Sequence, residues 1–327
     1  MKIALYECAD WEKEYFQEHL SDHELVFVDQ SITHCVIEDA QALIIFIYSE
    51  ITQDILNRMP QLEFVATRST GYNHIDIAAC SQRGIRVCTV PYYGQNTVAE
   101  HAFALLLAMS RKIVPSANRV KAGSFDYAGL VGFDIKGKTI GIIGTGHIGQ
   151  HAIRMANGFD MNVLAYDPFP KYELCNSLSF RYVGLEELFS SSDIISLHCP
   201  YNEHTHHLIN ETVLDTLKKG VVLINTARGG LVSNSALLKG LQQGIISQAG
   251  IDVLEEEEHL RDENGILTEE FARYDHLHEL LVGHTLIHHP HVLVTPHNAF
   301  NSTEALTRIL ATTVENVRSN GFSNTVS

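Results

Sequence analysis

The chain has 327 residues, 45% of them hydrophobic and 19% charged, with a formal net charge of −16. That length and composition suit two globular domains with sizeable cores and argue against disorder. The acidic balance argues against a nucleic-acid groove or an anionic membrane surface, and the six scattered cysteines, without a CxxC pair, fit reduced thiols rather than a disulfide framework.

The opening MKIALYECAD reads as a first strand and lacks the apolar core of a signal peptide. The longest wholly apolar run, Ala102 to Met109, is far too short to span a bilayer, so a cytoplasmic location is expected. Up to about residue 95, KIALYEC, HELVFVD, ALIIFIY, LEFVATR and RVCTV are strand candidates. WEKEYFQEHL, TQDILNRM and HIDIAACSQRG lie between them and read as helices. Such alternation implies a parallel sheet covered on both faces.

Thr97 and Glu100 have capping-box spacing and predict the start of a helix through AEHAFALLLAMSRKI. It is apolar almost all round, so it should connect domains, form a subunit interface, or do both. From Lys138 the alternation restarts: strand KTIGIIG, helix HIGQHAIRMANGF, strand MNVLAYD, a weak strand RYV and helix LEELFSSS. Then come strand IISLHCP, helix NETVLDTLKKG, strand VVLINTA, helix SNSALLKGLQQG and strands SQAGIDV and HVLVTPH. That is a doubly wound sheet of Rossmann type. A last helix begins near Asn301, with Glu304 as its expected capping partner.

Nineteen histidines include two groups, His204, His206 and His207, and His284, His288, His289 and His291. Neither has a cysteine or HExxH context, so they read as solvated loop residues and no metal is expected.

Gly144-Thr145-Gly146-His147-Ile148-Gly149 is a GxGxxG directly after an apolar strand and opening a helix. The first glycine permits the turn, the second lets backbone approach a pyrophosphate, and the third allows close helix–strand packing. Asp167 ends the next strand, where an acidic residue accepts the ribose hydroxyls and repels a 2′-phosphate, which favours NAD over NADP.

Open α/β sheets bind ligands beyond the carboxyl ends of their strands. His198-Cys199-Pro200, the segment Thr226 to Gly230, Asp252 with Glu255 to Glu258, and His297 all fall at such ends. Separate loops thus deliver an arginine, a carboxylate and a histidine to one rim. Keto-acid reduction uses those groups: an imidazolium protonates the developing alkoxide, a carboxylate stabilises its charge, and a guanidinium holds the substrate carboxylate.

RSTGYNHID (68–76), VPYYGQNTVAEHAFALLLAMSRK (90–112), GTGHIG (144–149), INTARGG (224–230), DVLEEE (252–257) and TPHNAF (295–300) together make the chain resemble the D-isomer-specific 2-hydroxyacid dehydrogenases, above all their D-lactate dehydrogenase-like branch. The resemblance covers nearly the whole chain. It implies Arg228 as substrate-binding arginine, His297 as acid/base and Glu257 as its carboxylate partner, with Glu255, Glu256 and Glu258 solvated or structural. It implies Asp252 at the nicotinamide carboxamide, and Cys199, Pro200, Thr205, Thr226 and Ala227 along the cofactor. Thr70 and Gly71 would hold the substrate carboxylate through backbone N–H groups, Tyr93 would close over the substrate, and Tyr48 and Phe300 would bound its side chain.

The resemblance further implies two α/β domains, a smaller flavodoxin-like substrate domain from residues 1–98 plus 299–327 and an NAD-binding Rossmann domain from residues 99–298. They would close by hinge motion over a cleft, and the helix from Thr97 would contribute to a homodimer interface. The long acidic stretch from Glu258 to His291 fits the lactate-type branch. Expected partners are NAD and a small 2-keto or 2-hydroxy acid, most simply pyruvate and D-lactate. Glyoxylate or hydroxypyruvate reductases share the same three groups, and a non-catalytic NAD-sensing corepressor on the same fold is the alternative from another class.

Overall fold

The computed structural model describes residues 1–255, 257 and 277–326. The chain folds as two compact units, Met1–Tyr93 with Asn301–Ser327, and Gly94–Phe300. The expected boundaries at 98/99 and 298/299 therefore move outward, and Phe300 goes with the second unit.

The first unit holds five parallel strands, β1 (Lys2–Tyr6), β2 (Glu24–Val28), β3 (Ala42–Ile45), β4 (Phe64–Thr67) and β5 (Arg86–Cys88), in the order β2-β1-β3-β4-β5. This is the flavodoxin-like order. Strands β3 and β4 are buried at every residue, as both-face coverage requires. One face packs on Ile55 and Leu56 of α2 (Gln53–Arg58) and Ala79 and Cys80 of α3 (Ile77–Gln82). The other packs on Phe16 of α1 (Asp10–His19) and on Leu310, Val314 and Val317 of the C-terminal helix, Thr303–Arg318. That helix is capped by Ser302, whose hydroxyl accepts from Ala305 N–H at 3.2 Å, so neither Asn301 nor Glu304 is the cap.

The second unit opens with α4 (Gln95–Ser110) and α5 (Ile113–Lys121). Its seven parallel strands are β6 (Thr139–Ile143), β7 (Asn162–Tyr166), β8 (Arg181–Tyr182), β9 (Ile194–Leu197), β10 (Val221–Asn225), β11 (Ile246–Ile251) and β12 (Val292–Val294). They lie in the order β12-β11-β10-β9-β6-β7-β8, the Rossmann arrangement, with its switch point between β6 and β9. Helices α6 (His147–Gly158), α7 (Glu173–Leu178), α8 (Leu185–Ser191), α9 (Asn234–Gln242) and α10 (Leu277–Ile287) complete the unit. No helix among the described residues is long and apolar enough to cross a membrane.

Helix α4 departs from expectation in two ways. It starts at Gln95 with Gly94 as its cap, so Thr97 sits inside the first turn instead of capping it. It stops at Ser110 because the returning Phe133 N–H takes the Ser110 carbonyl at 2.9 Å and Lys112 turns left-handed at φ 55°. Its apolar surface is met within the unit: Ala99, Ala102, Phe103, Leu105, Leu106 and Met109 are buried in a cluster with α6 and the sheet. A subunit interface is not needed to explain that composition. The helix expected in NETVLDTLKKG is absent apart from one 3-10 turn, Leu214–Thr216. Asn210 Oδ1 accepts from Thr212 N–H, Val213 N–H and the Thr212 hydroxyl, and this local bonding outcompetes helix while still burying Leu214 and Leu217.

Candidate active site

The glycine turn follows β6. Gly144 sits at φ 95°, and a Cβ there would lie 2.6 Å from the His198 carbonyl oxygen. A Cβ at Gly149 would strike the Gly144 carbonyl, so α6 can approach the strand only without one. At Gly146 a Cβ would meet nothing within 4 Å. The chain itself leaves that space open beside the α6 N-terminus, whose N–H groups and dipole favour an anion. Asp167, just after β7, accepts from Thr145 N–H at 2.8 Å, the Thr145 hydroxyl at 3.0 Å and Phe169 N–H at 2.9 Å, and so holds this loop.

The other rim loops are braced in the same manner. After β9, the Thr205 hydroxyl donates to Pro200 O and accepts from Asn202 N–H, both at 2.8 Å. Cys199 is buried, which pushes its thiol up to about 11 and keeps it protonated. After β10, buried Asn225 accepts from Ala227 N–H at 3.1 Å and donates to Arg228 O at 2.9 Å. Thr226 Oγ1 is buried there and has no hydrogen-bond partner among the described residues. An orphaned hydroxyl and an open glycine position beside a helix N-terminus suit a bound dinucleotide.

Arg228 is exposed, and its Nη1 rests on Ala227 O at 2.6 Å. A Cβ on Gly229 would strike the Leu254 carbonyl and lie 2.6 Å from Glu255 N. The Arg228 turn therefore packs directly on the segment leading to Glu257. Glu257 Oε2 accepts from Leu254 N–H at 3.3 Å, and Oε1 pairs with Nδ1 of His297, both side chains being 24% exposed. Two loops remote in sequence thus meet as a carboxylate–imidazole pair.

Residues 103–299 match the model of the family described as D-isomer specific 2-hydroxyacid dehydrogenase, NAD binding domain. Escherichia coli D-lactate dehydrogenase is 35% identical over 97% of this chain and 96% of that protein. The chain belongs to the D-isomer-specific 2-hydroxyacid dehydrogenases. A glyoxylate reductase of Korarchaeum cryptofilum is 38% identical over 68% of each chain. The structure of Aquifex aeolicus D-lactate dehydrogenase complexed with NAD and lactic acid superimposes with a TM-score of 0.86 at 33% identity, covering 99% of this chain and 98% of that one. This dehydrogenase is NAD-dependent.

In this dehydrogenase Asp252 is 1% exposed and turned into the segment carrying His297. Its Oδ1 accepts from the Thr295 hydroxyl at 2.5 Å and from Asn298 N–H at 3.0 Å, and its Oδ2 from Ala299 N–H at 2.9 Å. Burial works to raise its pKa, but hydrogen bonds from His101, Thr295 and Ala299 outweigh burial and hold the carboxyl below its ordinary value. His101 and Thr295 fall within motifs that carry the resemblance, but nothing in the sequence links them to Asp252, since only folding brings them together. Glu255, expected to be solvated or structural, bonds His207 Nε2 at 2.5 Å; Glu256, Glu258 and the stretch from 258 to 276 lie outside the described residues.

Of the first-unit positions, Thr70 donates its hydroxyl to Val90 O at 2.7 Å, and the Ser69 hydroxyl donates to Gly71 O at 2.6 Å. Both shape the loop after β4. Tyr48 is 50% exposed beside Phe46, and the Tyr93 carbonyl accepts from Arg308 Nε at 2.7 Å. Phe300, half-buried, lies in the second unit. His284 on α10 and His288 just after it are exposed, and among the described residues no three His, Cys, Asp or Glu side chains are grouped to hold a metal.

Proposed function

We propose that this dehydrogenase reduces pyruvate to D-lactate, with Arg228, Glu257 and His297 as its catalytic residues. The observation that carries the reading is the Glu257–His297 pair at the carboxyl edge of the Rossmann sheet. With Nδ1 engaged by the carboxylate, the proton that moves is carried on Nε2 of His297. Bound NADH supplies a hydride to the carbonyl carbon. His297 donates its proton to the carbonyl oxygen, and Glu257 stabilises the imidazolium beforehand. Arg228 turns from the Ala227 carbonyl to grip the substrate carboxylate with two parallel hydrogen bonds. Backbone N–H groups of Thr70 and Gly71 add to that grip, Tyr93 covers the substrate, and Tyr48 and Phe300 limit its side chain.

Gly144, Gly146, His147, Ile148 and Gly149 would hold the pyrophosphate, and Asp167 the adenosine ribose. Cys199, Pro200, Thr205, Thr226 and Ala227 would line the cofactor, the Thr226 hydroxyl finding there a partner it lacks among the described residues. Asp252 would reach the carboxamide only through Oδ2, because Oδ1 is committed to Thr295 and Asn298.

The relatives named for D-lactate support pyruvate as substrate, and the relative named glyoxylate reductase supports the smaller keto acid as the second reading. Steady-state rates of NADH loss with pyruvate, glyoxylate, hydroxypyruvate and phenylpyruvate decide between them. The expected result is the highest kcat/KM for pyruvate, with D-lactate as product. A higher value for glyoxylate would replace this reading, and no turnover with any of the four would leave a binding protein. The working form proposed is a cytoplasmic homodimer joined through the second unit, where α5 and the segment after it expose Ile113, Val114, Val120, Phe125, Tyr127 and Val131.

A further inference from the structure

His101 stands in the middle of α4, on none of the loops that form the rim. Its side chain is 21% exposed, and its Nε2 lies 3.0 Å from Thr295 Oγ1 and 3.4 Å from Asp252 Oδ1. The Thr295 hydroxyl gives its single proton to Asp252 Oδ1, so toward His101 it can only accept. The network therefore assigns a proton to His101 Nε2.

The same Asp252 carboxylate gathers the N–H groups of Asn298 and Ala299, the two residues after His297. The His297 N–H is itself held by the carbonyls of Asp252 and Thr295, both at 2.9 Å. Those bonds fix an unfavourable conformation. His297 sits at φ 52°, in the left-handed region that is unfavourable for a residue with a side chain. Such a turn persists only while its surroundings over-determine it.

We propose that His101 is a positioning residue for His297. Its Nε2–H donates to Thr295 and, through Asp252, fixes the left-handed turn that presents the imidazole to Glu257. Without that donor the Thr295 hydroxyl is held by Asp252 alone, and Asp252 loses a donor neighbour that offsets its burial. The turn then samples other conformations and the imidazole leaves its partner. The rim's opposite half is braced separately, by His207 on Glu255, so the loss falls on the histidine side.

The inference rests on His297 being the acid/base. The test measures the single-turnover rate of NADH oxidation by pyruvate in His101→Phe, His101→Gln, Thr295→Val, the Phe/Val double variant and His297→Gln, with NADH affinity measured in each. Glutamine places an N–H donor near the position of His Nε2, whereas phenylalanine fills the space without one. His101→Phe and Thr295→Val should each lose roughly tenfold to a hundredfold in rate with NADH binding retained. His101→Gln should stay within about threefold of the wild type. The double variant should be no slower than the slower single, because both break one chain of bonds. The proposal is overturned if His101→Gln is as slow as His101→Phe, if the two losses multiply, or if His101→Phe runs at the wild-type rate while His297→Gln is inactive. Full activity in His297→Gln would instead remove the acid/base reading, and this inference with it.

Discussion

At the residue scale, each chemical group of the rim is held by a neighbour of a different kind. Glu257 is oriented by Leu254 N–H and His297 by the Asp252 turn, while Arg228 is left exposed on its own backbone. The choice of Glu257 among four consecutive glutamates is not legible in composition; it comes from resemblance alone. The structure supplies the physical reason against one alternative, since Glu255 is spent on His207. A second residue-scale consequence concerns pH. Burial pushes His198 and His74 down to about 4, so both stay neutral in the folded chain. Unfolded, each titrates near its ordinary value of 6.5. The unfolded state then binds more protons between those values. Their contribution to stability is complete above pH 6.5 and is lost as pH falls toward about 4, by up to about 1.4 kcal/mol per pH unit for each. Urea midpoints measured from pH 7 to pH 5 should fall, and should fall less in His198→Asn. A flat profile would show that these rings are not buried as neutral groups.

At the element scale, the legible segments are those whose periodicity and punctuation agree. The run from β6 through the glycine turn into α6 is one, because an apolar strand, three glycines and an amphipathic helix all point to the same answer. The stretch after Asn210 misleads because its apolar spacing is helical while Asn210 and Thr216 bond their own backbone. Helix α5, which is not among the elements expected from sequence, carries Pro115 in its first turn, where a missing N–H costs nothing. Packing between elements also gives a prediction. Gly229 has no room for a Cβ against the Leu254 backbone, and the carbonyl cannot move without moving Glu257. Gly229→Ala should lower kcat for keto-acid reduction roughly a hundredfold with NADH affinity retained. A normal kcat, measured beside a normal urea midpoint, would show that the loop is not fixed from this side.

At the scale of the whole molecule, one chain builds two parallel sheets with different strand orders, and the C-terminal helix returns to the first of them. Alternating strands and helices make both sheets readable, but not the return of the last helix. That helix is amphipathic and carries no mark of which sheet it covers; only resemblance points to the first unit, where Leu310, Val314 and Val317 are buried. The apolar faces behave similarly. Helix α4 reads as a domain connector, a subunit surface or both, yet its own unit buries most of it, and a run of exposed apolar residues lies further on, between Ile113 and Val131. Light scattering should give twice the chain mass, and Val120→Glu with Tyr127→Glu should shift the protein to monomer. A wild-type monomer at micromolar concentration would exclude the proposed assembly.

Catalysis as proposed turns on one guanidinium, one imidazole and its carboxylate converging on a keto acid. A crystal structure with NADH and oxamate, a non-reducible analogue of pyruvate, tests this most directly. It should place the oxamate carbonyl oxygen about 3 Å from His297 Nε2, with the carboxylate gripped by Arg228. Oxamate bound away from His297, or His297 turned from Glu257 in that complex, would contradict it.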